Sequence, residues 1–204
     1  MSVGHHSALV ARGAGDPSAP QTERHPRNLT ISRNIVILSG AYGIVDHSLV
    51  PATSSDAQGT YRGRSRNIRY INNTVVNSQT FNMVVNGDDN QVYNNILMGG
   101  GGGLRDVSTA GNATFARFGF NLRHNSGYQN ILNPPTTDIV ANPQLAGGTF
   151  PNSRAGVTPL PGSPALAAGS SDGINPDYFT DIGAIQVGAV TDTSVPAGVW
   201  EMYR

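Results

Sequence analysis

Residues 67–98, NIRYINNTVVNSQTFNMVVNGDDNQVYNNILM, state one short phrase twice. Arg66-Asn67-Ile68-Arg69-Tyr70-Ile71-Asn72-Asn73-Thr74-Val75-Val76 is answered by Asp89-Asn90-Gln91-Val92-Tyr93-Asn94-Asn95-Ile96-Leu97, which sets Asn73 and Asn95 22 residues apart. Short β-branched runs that repeat at this length and close on Asn are the pattern of a coiled β-solenoid. Each turn of such a coil cannot bury its apolar face alone and stacks on its neighbours.

Working outward, Asn34 takes the same place as Asn73 and Asn95. The residues before each Asn alternate and read as one strand, and Ile35–Leu38, Thr74–Val76 and Ile96–Met98 read as a second. A third strand follows in Tyr42–His47 and Phe81–Asn86, and Ser7–Arg12 aligns with it as the tail of an incomplete turn. Three strands per rung predict a triangular coil with a column of Ile, Val, Leu, Tyr and Phe inside. The repeated Asn amides, each with donors and an acceptor, are placed to bond bend backbone and the Asn above, as a ladder along the axis. That role also sets aside the glycosylation-like sequons at Asn28, Asn72 and Asn112.

Beyond Met98 the phrase loosens. The run Gly99–Gly103 lacks the Lys-Ser/Thr ending of a phosphate loop and reads as a wide bend. Leu104–Val107 supplies the next third strand, and Thr114–Arg123 one irregular turn with Asn121 at the ladder position. The expected fold is all-β: a right-handed parallel β-helix of about four to five rungs over 1–125, and a loop-rich segment, 126–204, packed on it. Asp181–Gln186 is expected as a last strand. The coil opens on a rung's third strand without a cap, so its N-terminal end is expected to be covered by more chain, a partner or a second copy.

Composition narrows the functions. Charge is balanced, 13 Lys+Arg against 13 Asp+Glu, which gives no general electrostatic case for nucleic acid. All 13 basic residues are Arg, so Lys catalysis is excluded, and the absence of Cys excludes disulfides and thiolate metal sites. No apolar run is long enough to span a membrane, and the N-terminal residues do not read as a signal peptide. His5-His6 is an isolated pair without a zinc spacing.

The C-terminal pair PGSPALAAGS (161–170) and TDIGAIQ (180–186) resembles the closing segment of bacterial extracellular β-helix proteins. With the repeats, the chain over about 7–186 resembles right-handed parallel β-helix proteins of the pectate-lyase-like superfamily. The resemblance implies secretion or a cell-surface location, upstream rungs, and an acidic polysaccharide that is bound, or bound and cleaved. The superfamily also contains noncatalytic structural and interaction proteins, so a subunit docking on a larger assembly is the alternative. In its lyases the sugar lies along one sheet between flanking loops, which here means the third strands and their long bends.

On that surface, Arg62 or Arg64 can neutralise a uronate carboxylate, His47 or Arg105 can abstract the neighbouring proton, and Tyr61 can protonate the leaving oxygen. Asn82, Asn86, Asp88 and Asp89 are the substrate-binding candidates, with Val45, Val84, Asn82 and Asn86 expected to face outward by alternation. The Asp88-Asp89 pair also invites Ca²⁺, although it falls short of the about six to eight oxygens that ion takes. A tight turn is the simpler reading of GDDN.

Overall fold

The computed structural model describes residues 9–11, 27–46, 65–106, 113–170 and 180–187. Short strands assemble into three sheets whose paired strands all run parallel. Sheet 1 holds Thr30–Ser32 (β2), Arg69–Ile71 (β5), Asn90–Tyr93 (β8) and Phe115–Gly119 (β11). Sheet 2 holds Ile35–Ile37 (β3), Thr74–Val76 (β6), Ile96–Met98 (β9), Leu122–His124 (β12) and Ile139–Val140 (β14). Sheet 3 holds Leu9–Ala11 (β1), Tyr42–Asp46 (β4), Phe81–Val85 (β7), Leu104–Asp106 (β10) and Tyr128–Gln129 (β13). The chain visits sheets 1, 2 and 3 in that order and then lays the next strand on the last. The result is an all-β, parallel, solenoid-like arrangement.

The corners explain the abundance of Asn. Asn28, Asn67 and Asp89 enter sheet 1; Arg33, Asn72, Asn94 and Phe120 lead from sheet 1 to sheet 2; Leu38, Asn77, Gly99 and Asn125 leave sheet 2. All have φ between 49° and 63°. Asn and Asp tolerate this left-handed conformation better than other side chains, and Gly better still.

Inside the coil, Ile31, Val36, Ile44, Tyr70, Val75, Met83, Val92, Leu97 and Leu104 form one buried core. A second core lies on the outer face of sheet 2, where Val76, Ile96, Met98 and Leu122 meet Leu145, Val157, Ala165 and Ile182. The segments 141–170 and 180–187 therefore lie against the outside of the coil. Asp181–Gln186, expected as a strand, is irregular: Ile182 fills the outer core and Gly183 holds φ +99°, where a Cβ would sit 2.6 Å from Ile96 Cδ1. Strands also continue past residue 125, in β13 and β14.

Candidate functional site

The two Asn of each doublet do different work. The second builds an inner ladder. Asn73 Oδ1 accepts from Asn34 N and Nδ2, Asn95 Oδ1 from Asn73 N and Nδ2, and Asn121 Oδ1 from Asn95 N and Nδ2, all at 3.0 Å. Asp138 ends the row: its Oδ1 accepts from Asn121 N at 3.0 Å and Nδ2 at 3.4 Å. The first Asn points outward and clasps the outer segment. Asn72 Nδ2 donates to Asp181 O at 2.9 Å and Gly183 O at 3.3 Å; Asn94 Nδ2 donates to Ser170 O at 2.8 Å, and its Oδ1 accepts from Ser170 N at 2.9 Å.

Polar groups gather at the C-terminal end of the coil. Arg123 occupies the inward column below Val36, Val75 and Leu97, and its Nε donates to Asp138 Oδ2 at 3.0 Å. Its guanidinium lies 4.2 Å from the Tyr128 ring centroid, and the Tyr128 hydroxyl donates to the same carboxylate oxygen. Burial first, and then the Asp138 charge, push the Tyr128 phenol well above its ordinary range. It stays protonated at neutral pH and cannot serve there as a base.

Beside this cluster an open groove of about 640 Å³ lies between β11 and residues 130–133, lined among others by Thr114, Phe115, Phe118, Ile131, Leu132 and Asn133. The register of β11 on β8 shifts between Phe115 and Arg117. Such a bulge bends an edge strand and re-aims its side chains. Phe118 stacks on Phe115 and tilts against Tyr128, so the groove floor is the end of the interior core.

A second interior cluster was not anticipated from the sequence. Asp46, fully buried, accepts from the Tyr70 hydroxyl at 3.3 Å and from Ser65 Oγ. Burial, with Asp46 adding to it, raises the Tyr70 phenol well above its usual value.

The sequence-based candidates fare unevenly. His47, Tyr61, Arg62 and Arg64 lie outside the described residues. Arg105 is in β10, in register with Val84. Asn82 and Asn86 are fully buried rather than outward-facing. Asn82 lies near the start of β7, and its amide is spent on the bend before it and on the glycine-rich turn that follows. Its Oδ1 accepts from Ser78 N, and its Nδ2 donates to Met98 O and Gly99 O. The Gly100 and Gly101 backbones pass so close beneath Ser78 and Thr80 that a Cβ at either would strike a carbonyl oxygen. The Asn86 carbonyl accepts from Ser65 Oγ at 2.9 Å and from Asn90 Nδ2. Val45 and Val84, also expected outward, are buried with Phe81, and Tyr42 stacks on Phe81 with centroids 6.4 Å apart.

Asp88 sits in the backbone ladder between Ser65 and Asn67. Asp89 holds a corner and pairs with Arg66 at 2.9 Å, both side chains largely exposed. Among the described residues, no three His, Cys, Asp or Glu side chains gather as cation ligands. Nor is any helix among them long and apolar enough to cross a membrane.

Comparison of the chain with protein-family models, with curated proteins and with solved structures finds no match in any of the three.

Proposed function

We propose that this chain is a noncatalytic, right-handed parallel β-helix of the pectate-lyase-like kind, three strands to a rung, acting outside the cell as a structural or interaction subunit. One observation carries this reading: among the described residues, the polar side chains a sugar site would draw on are engaged in the scaffold. Asn82 ties two turns together, Asp89 fixes a corner, and the doublet Asn residues serve the ladder and the clasp. Asn82 and the doublet Asn residues, satisfied by buried backbone, must break those bonds to bind a ligand, and each break costs about 1–3 kcal/mol.

A second reading, binding and lyase-type cleavage of an acidic polysaccharide, with or without Ca²⁺, draws on the closing-segment resemblance. The exposed Asn133 beside Phe115 at the groove also supports it, since sugars are met by amides and aromatic faces. Incubation with alginate, pectate and glycosaminoglycans, read by ultraviolet absorbance for unsaturated uronate, separates the two. The structural reading expects no product and no retardation on polysaccharide gels. Product that disappears in His47→Ala and Arg64→Ala would overturn it.

A further inference from the structure

The two ends of the coil are complementary partial turns. At the C-terminal end, residues 130–137 lead from β13 to β14, with Ile131 packed on the interior core, and β14 lies on β12 in sheet 2. The chain then passes to the outer face, and no described strand continues this turn in sheet 3. At the N-terminal end the reverse holds. β1 lies on β4 in sheet 3, and no described strand lies beyond β2 or β3. One end has the first two sides of a turn, and the other has the third.

The hydrogen-bonding groups match as well. Ile139 and Ala141 donate to Asn121 O and Arg123 O, so the N–H and C=O of Val140 and the C=O of Asp138 point away from β12. On β3, Asn34 O accepts from Thr74 N and Leu38 N donates to Val76 O, so the backbone groups of Ile35 and Ile37 point away from β6. The ladder has a direction too. Asn34 Oδ1 accepts from no described group, and Asp138 N–H donates to none. The flanking sequences repeat each other, Asn34-Ile35-Val36 and Asp138-Ile139-Val140. Apolar side chains are bare at both ends: Val140 is 71% exposed and Leu132 75%, Leu38 54% and Leu29 40%.

From this we infer that the partner is a second copy of the same chain, stacked head to tail, with β1 of one copy completing the last turn of its neighbour on β13 and β3 laid on β14. Asn34 Oδ1 then accepts from Asp138 N–H, and Ile35 N–H donates to Asp138 O. Ile37 N–H donates to Val140 O, and Val140 N–H to Ile35 O. The second of these bonds repeats one already made at four joints within the chain, where Thr74, Ile96, Leu122 and Ile139 N–H meet Asn34, Asn73, Asn95 and Asn121 O. Val36 covers Val140 in the interior column. A head-to-tail contact that does not close on itself adds copies without limit, so the product is a filament along the coil axis. The inference rests on the interaction reading above and gives that reading its partner.

Sedimentation of the full chain over a wide concentration range tests it, beside an oxidative cross-link made clean by the absence of native Cys. Mass is expected to grow in single-protomer steps. Val140→Asp, harmless at an exposed position in one copy, is expected to weaken association at least about tenfold by burying an unpaired charge, with unchanged circular dichroism. In the inferred register Leu38 of one copy meets Asn142 of the next. An equimolar mixture of Leu38→Cys and Asn142→Cys proteins is therefore expected to give mixed disulfide dimers. A single-protomer mass at every concentration, growth that stops at two, or cross-links only between like variants would overturn the inference. The polysaccharide assay above reports separately on the interaction reading.

Discussion

The inner and outer rows of the bend between sheets 1 and 2 use the same residue, one position apart, to opposite ends. Asn95 is buried and bonds in four directions: it receives Asn73 and donates to Tyr70 O, Tyr93 O and Asn121 Oδ1. The Asn94 side chain bonds Ser170 through both ends of its amide, and among the described residues no other group. The inner row makes the coil one object, and the outer row fastens a separate segment to it. The two rows sit on either side of the corner: the left-handed residue, Asn72 or Asn94, turns outward and the Asn after it inward.

The largest effect is expected from breaking the inner row. Asn95→Ala leaves buried carbonyls and an N–H without partners, and denaturant unfolding should show a loss of about 4 kcal/mol. Asp138→Asn comes next. A ladder whose members all donate in one direction needs an acceptor at its end, and the carboxylate also holds Arg123 and Tyr128. Removing the charge leaves Arg123 poorly compensated, at a cost of about 3 kcal/mol. The outer row should yield far less. Asn94→Gly keeps the left-handed corner and deletes only the clasp, so about 1 kcal/mol is expected, with faster hydrogen exchange at Ser170 and unchanged exchange in the strands.

The smallest effect is one of pH. Tyr70 and Tyr128 remain protonated in the fold above the value near 10 at which an unfolded chain's phenols ionise. Because the folded values are raised, their contribution is complete below about pH 10 and falls as pH climbs beyond it. Thermal melts should show that decline, and Tyr70→Phe should reduce it.

The sequence made most of the coil legible, because period-two runs separated by Asn corners have few other solutions. The ladder was legible as far as Asn121. Its last member was hidden by a change of residue: Thr136-Thr137-Asp138-Ile139-Val140 follows the pattern of Ser32-Arg33-Asn34-Ile35-Val36, but behind two prolines and with Asp for Asn. Alternation also says which way a side chain points, not what lies there. Val84 lies outside the interior core and is nonetheless buried, against Val45 and Phe81. Asp181–Gln186 reads as a strand by composition, but Ile182 and Ile185 pack on the outer face of sheet 2 without the segment joining it. The Asp46–Tyr70 contact joins residues from two sheets, and no local pattern announces it.

The directional inner ladder is tested most directly by hydrogen exchange at the Asn side-chain amides, followed by nuclear magnetic resonance. The Nδ2 protons of Asn73, Asn95 and Asn121 should exchange as slowly as the strand backbone, while those of Asn28 and Asn142 exchange freely. Equal, fast exchange at all these amides would contradict the ladder and the stacked coil built on it.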